Sequence, residues 1–289
     1  MKIQKQTLTV LLVVFFIFQI KAQNLNKYYF EFNVAYNLAK AGKVDSAIAT
    51  YEDAFRKLDY VQIRYLQKVL ELAKLKKDKA RIKKYSQQIK KQNRGTNPYL
   101  IAIIDSLIKE DQKVRKGKFY RKSKYMWKCD KDPNCNKQSE KYIDSKKYNN
   151  NWKRIDSSNV YFLLNLFKRY GFIGEEQVGL YKYGDVITIL IHFDRDTSNT
   201  ILEPILRKAL KEGEIYPIDF TAILDRHLGG KYTIQKYWTW PDLNKKKYPF
   251  TEADIPKIIK LRESVGIYGS SLRQEKRGKY WIIRNEINR

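Results

Sequence analysis

Apolar residues at helical spacing constrain this chain more than any other feature. Over residues 28–55, Val34, Leu38, Ala47, Ile48, Tyr51, Ala54 and Phe55 fall on one side of a 3.6-residue repeat. Gly42 interrupts the run, so the segment predicts two helices folded back on each other, and residues 28–94 as a whole read as helices. The same spacing returns in "YLIAIIDSLIKEDQKVR", "TILEPILRKALKEGE", "YPIDFTAILDRHLGG" and "TEADIPKIIKLRESVG". Pro204 is tolerated in a first turn, and Thr251 is a candidate N-cap. Asp156 is placed to cap "SSNVYFLLNLFKRYG", which Gly171 stops. "DVITILIHF" stays open on periodicity alone, since a short apolar run fits a buried strand as well as a helix.

The N-terminus reads as an export signal. Lys2 and Lys5 precede an apolar stretch from Leu8 to Ile20, and Ala22 fits a cleavage site. The stretch is short of the roughly 20 apolar residues that a membrane span needs. The expected division is therefore a signal peptide over 1–22, a helical unit over 23–94 and a second helical domain over 99–289. "NRGTNP" (93–98) links the two helical parts. Residues 116–155 are basic, aromatic and poor in aliphatics, and read as an insertion loop.

Charge bears on partners. The chain carries 58 Lys and Arg against 31 Asp and Glu, a formal +27. Export argues against nucleic acid, which leaves anionic envelope polymers or lipid head groups as the electrostatic partners. Cys129 and Cys135, the only two cysteines, flank the turn residues Pro133 and Asn134 and read as a disulfide. A calcium loop is excluded there, because Cys135 and Lys141 occupy the positions that need Gly and Glu. No phosphate loop, dinucleotide fingerprint or zinc-protease helix is present. The cofactor is left unassigned, and no metal site is assigned.

Two resemblances add to this reading. Residues 28–61 resemble a tetratricopeptide repeat, with Ala47, Tyr51 and Ala54 at its small, aromatic and Ala positions and Gly42 in its turn. Glu31 and Asp59 depart from its Trp and Pro. A worn second copy places Ala80 at the counterpart of Ala47. The resemblance implies a protein partner or a scaffold role. Farther on, "DQKVR", "DSSNVYFLLNLFKRYGF", "VG", "ILIHFD", "ALKEGEIYPIDFTAILDR", "QKY" and "LRESVGI" follow in an order that resembles a bacterial domain family of unknown function, over residues 100–268. That resemblance implies a mainly helical domain, with 180–193 helical. It puts the polar landmarks on Asp111, Gln112, Arg115, Asp156, Asn159, His192, Asp194, Asp225, Arg226, Gln235 and Tyr237. Trp238 stands where the family has Gly.

The expected fold is thus mainly α: tetratricopeptide-like hairpins, then a helical domain with a basic insertion loop. The expected function is a protein-binding or scaffold role in the bacterial envelope, periplasmic or extracellular. The alternative is a hydrolase. His192 would be its base or metal ligand, Asp194 or Asp196 would orient it, Asp225 would join it, and Arg115 with Arg226 would clamp an anion. On structural grounds alone, His192 would serve as a cationic helix C-cap, Asp225 and Arg226 would enter internal ion pairs (Asp111 with Arg226 or Asp225 with Arg115), and His227 would be a solvated helix-end residue.

Overall fold

The computed structural model describes residues 28–193, 200–229, 235–240, 252–268, 270–274 and 281–285. The fold is mainly α. Helices α1 (28–40), α2 (Val44–Phe55), α3 (Ile63–Leu75) and α4 (Lys79–Gln92) make two successive hairpins. Their core holds Phe32, Tyr51, Ala54 and Leu66; of the periodic positions, Ala47, Ile48, Tyr51 and Ala54 are buried and Val34, Leu38 and Phe55 half-buried. Ala80 is exposed; α4 buries Tyr85 instead. Asp78 caps α4 by accepting from Arg81 N at 3.0 Å.

Helix α3 is capped from outside its own hairpin. Gln62 gives it no side-chain cap. Glu175, first residue of α8 (Glu175–Ile191), accepts from Ile63 N at 2.7 Å. A carboxylate is favoured there by the unpaired N–H groups and the helix dipole. The same carboxylate accepts from Tyr60 Oη at 2.9 Å and from Tyr216 Oη. Beside it, the Arg64 guanidinium lies 4.2 Å over the Tyr216 ring and pairs with Asp219 at 3.2 Å. Tyr183 Oη donates to Asp219 at 2.8 Å and accepts from Tyr216 N at 3.1 Å. Burial pushes the Glu175 and Asp219 carboxyls up, and their hydrogen bonds oppose it. Phe30 adds an edge contact to Tyr268 at 5.6 Å. The hairpins thus rest on the second domain through α1 and α3.

The linker is seated as firmly. Thr96 N and Asn97 N both donate to Gln177 O at 2.9 Å. Gly179 breaks α8 with φ 77°, and a Cβ there would run into the Asn93 backbone. This position therefore requires Gly for both its conformation and its space.

The second domain begins with α5 (Pro98–Arg115), capped by Asn97 Oδ1 from Leu100 N at 3.1 Å. Then come α6 (Gly117–Cys129), α7 (Glu140–Tyr170), α8, α9 (Leu202–Glu212), α10 (Pro217–Gly229) and α11 (Ile255–Glu263). Strands β1 (Ser270–Gln274) and β2 (Trp281–Asn285) close it as an antiparallel pair, with Leu272 opposite Ile283. Ile104, Leu163, Tyr183, Val186, Leu190, Leu206 and Phe220 form the core. Helix α8 runs through it buried on most sides, which is why its sequence reads equally well as a strand. Among the described residues no helix is long and apolar enough to cross a membrane. Thr251 lies outside the described residues.

Two expectations are corrected. Residues 116–155 are not a loop: α6 and the first half of α7 form a helical hairpin, whose turn the Cys129–Cys135 disulfide closes. Rings and small polar groups replace aliphatics at its seam. Ser145 Oγ accepts from Met126 N at 2.8 Å and donates to Lys122 O. Trp127 Nε1 donates to Asn149 Oδ1 at 3.2 Å. Asp156 is likewise no cap. Ser139 caps α7, which runs unbroken for 31 residues and leaves Asp156 in its interior.

Glu175→Ala strands Ile63 N–H and two phenols in a buried interface. It is expected to cost about 3 kcal/mol or more in denaturant unfolding. A loss below about 1 kcal/mol, no more than one ordinary hydrogen bond, would contradict this role for Glu175.

Candidate functional site

Helices α5, α7 and α8 bring five landmark side chains into one cluster. Asp111 and Arg115 lie one turn apart on α5, and Arg115 donates to Asp111 Oδ1 at 2.9 Å and to Asp111 O at 2.9 Å. Its other terminal nitrogen donates to Asp156 Oδ1 on α7 at 2.8 Å. The face of the guanidinium stacks on Trp152, one turn before Asp156, at 5.1 Å. Gln112 Nε2 donates to Asp111 Oδ2 at 2.8 Å. Asn159 ties α7 to Leu107 O at 3.4 Å.

His192 completes the cluster from the end of α8. Its backbone N–H caps the helix on Thr188 O and Ile189 O, both at 3.2 Å. Its Nδ1 lies 3.0 Å and 3.2 Å from the two oxygens of fully buried Asp111. An ionised carboxylate only accepts, so Nδ1 is the donor and carries the proton. Nε2 has no hydrogen bond among the described residues, and the side chain keeps 22% of its surface exposed. Next to it, buried Phe193 anchors the chain and meets exposed Tyr161 edge-on at 5.7 Å.

The arrangement orients one imidazole. In its neutral form Nε2 is a lone pair held in place, able to take a proton or accept a bond; charged, it is a directed donor. Arg115 is not an open anion clamp, because both terminal nitrogens hold carboxylates. Burial lifts the Asp156 carboxyl to about 6, with the Arg115 charge opposing and the Asp111 charge adding to the rise.

The remaining landmarks build something else. Asp225 is fully buried and accepts from Lys236 N at 2.8 Å, Tyr237 N at 2.9 Å and Thr239 N at 2.8 Å. No bond to His192 is among these. Burial pushes its carboxyl up, and those backbone bonds oppose the rise. Gln235 exchanges bonds with the backbone of Trp240, and buried Arg262 donates to Tyr237 O at 2.9 Å. Burial drops the Arg262 guanidinium to about 10. Trp238 sits at φ 53°, a left-handed conformation that suits Gly and turns its neighbours' N–H groups onto Asp225. Asp225, Gln235 and Tyr237 thus pin the 235–240 segment to α10 rather than line the His192 cluster.

Arg226, on α10, is partly buried and engaged in contacts of its own. His227 is not solvated: it is buried, and its Nε2 donates to Leu190 O at 3.0 Å. Asp194 and Asp196 lie outside the described residues. Sequence reasoning missed Trp152, Tyr161 and Arg262. The position of Trp152, four residues before Asp156, would have placed it had the segment been read as helix.

Comparison with protein-family models, with curated proteins and with solved structures finds no match.

Removing Arg115 strands two buried carboxylates, whereas removing His192 leaves Asp111 with Arg115 and Gln112. Arg115→Ala is expected to cost about 3–5 kcal/mol, and His192→Ala less than about 1 kcal/mol, the worth of one hydrogen bond. Paired thermal melts measure both, and equal losses would contradict the arrangement. A second expectation concerns pH. The folded protein holds the Asp156 proton more tightly than the unfolded chain does, so this contribution is full in acid and is lost as pH rises through about 6. Asp156→Asn is therefore expected to gain stability relative to wild type across that range; a relative loss would contradict it.

Proposed function

We propose that the protein is an exported binding protein of the bacterial envelope, in which tetratricopeptide-like hairpins serve as a fixed base and His192 faces the ligand. One observation carries this reading: the His192 ring is oriented by a buried carboxylate, while its other nitrogen is left without a bond among the described residues and the ring is partly open. A histidine with only a packing role resembles His227, buried and bonded to a backbone carbonyl. The N-terminal signal pattern and the Cys129–Cys135 disulfide both suit an oxidising, exported setting. The hairpins act mainly as scaffold, because α1 and α3 rest on the second domain. A protein partner reaching them meets a cleft of about 410 Å³ bounded by Phe55, Asp59, Val61, Lys84 and Tyr85.

The same imidazole–carboxylate pair favours a second reading, a hydrolase in which His192 Nε2 is the general base and Asp111 orients it. Arg115 then positions Asp111 instead of clamping an anion.

Expression with its own N-terminus in a Gram-negative host, followed by fractionation and N-terminal sequencing, tests the export step. The expected product is a periplasmic chain beginning at Gln23. An intact cytoplasmic chain would overturn the export reading. Hydrolysis of ester and phosphoester reporters that is lost in a stably folded His192→Ala would move the conclusion to the second reading.

A further inference from the structure

The α6–α7 hairpin carries an exposed basic and aromatic surface beyond its seam and beyond the His192 cluster. Residues 116–154 hold thirteen Lys and Arg against four Asp and Glu. On the same hairpin Tyr120, Trp127 and Trp152 form a triangle of rings, with centroids 5.4 to 6.4 Å apart. Tyr120 and Trp127 are exposed. The rings are held rather than loose: Trp127 Nε1 is bonded to Asn149, and Trp152 is stacked under the Arg115 guanidinium. On α6, Tyr120, Lys124 and Trp127 share one face at i, i+4 and i+7, and the exposed Arg121 and Lys128 flank it. The Lys124 ammonium sits 5.5 Å over the Tyr120 ring. Fixed aromatic faces beside a row of cations are complementary to a polymer that has flat, weakly polar faces and regular negative charge.

We propose that this ring platform binds an anionic polysaccharide, with sugar rings stacked on Tyr120 and Trp127 and their carboxylates or phosphates met by Arg121, Lys124 and Lys128. Single-stranded nucleic acid also stacks on aromatic rings. The disulfide closing this same hairpin belongs to an oxidising compartment, where nucleic acid is scarce and acidic polysaccharide is abundant. A lipid surface needs a continuous apolar face to insert. Among the described residues of α6 the exposed apolar groups are two rings interleaved with cations. The proposal does not depend on any chemistry at His192.

The test is titration of the purified, disulfide-intact full chain with polygalacturonate, followed by tryptophan fluorescence and affinity electrophoresis. Dextran, a single-stranded oligodeoxynucleotide and phosphatidylglycerol vesicles serve as comparisons. Polygalacturonate is expected to bind and dextran not. Binding is expected to weaken with salt and to fall about tenfold or more in Trp127→Ala and in the triple variant Arg121→Glu, Lys124→Glu, Lys128→Glu, an effect of about 1.4 kcal/mol or more. Trp127→Phe, which keeps a ring, is expected to retain most of it. If Trp127→Ala does not fold, the charge variant decides, since its side chains are exposed. Absence of polygalacturonate binding, binding unchanged in both variants, or equal or tighter binding of the oligonucleotide or the vesicles would each overturn the proposal.

Discussion

Arg115 is the side chain on which the candidate site depends. Two carboxylates from different helices converge on it, and its charge offsets the cost of burying them ionised. Asp111, so neutralised, can hold the His192 ring. Asp156, so neutralised, can sit in the interior of a long helix. The remaining face of the guanidinium is covered by Trp152, which extends the same cluster into the α6–α7 hairpin. An apolar replacement of equal volume would often be no less stable. What the polar cluster adds is orientation of one imidazole at the protein surface.

A second polar node joins the two halves. Glu175 caps α3, holds two phenols and begins the helix that ends at His192. Gly179 and the 93–97 segment press together beside it. The hairpins are therefore held against the second domain, and the α8 helix connects the interface at one end to the histidine at the other. This is the geometry of a fixed platform rather than of an open superhelical groove.

Much of this was legible in the sequence, and the illegible part has identifiable causes. Helical spacing located the helices, and the turn around Pro133 located the disulfide. Asp111 and Arg115, four apart on an apolar-periodic helix, had to share a face, although the sequence reading paired each with a residue of α10. Asp225 could not be assigned correctly, because its partners are backbone N–H groups of residues 236–239, and backbone leaves no mark in residue type. The basic stretch 116–155 was read as loop because its seam uses Ser145, Asn149 and tryptophan rings where most helix pairs use aliphatics. His227 looked solvated because its partner is a carbonyl of α8, remote in sequence. Trp238 was noted as a departure from Gly, and its positive φ shows why Gly is the easier residue there.

The central claim is that Asp111 fixes the proton of His192 on Nδ1, with Nε2 unbonded among the described residues. The two histidines make this measurable by nitrogen-15 imidazole spectra of the folded protein at alkaline pH, with His192→Ala for assignment. The account predicts opposite neutral tautomers: Nδ1–H for His192, facing Asp111, and Nε2–H for His227, facing the Leu190 carbonyl. An Nε2–H tautomer at His192, unaltered by Asp111→Asn, would contradict it.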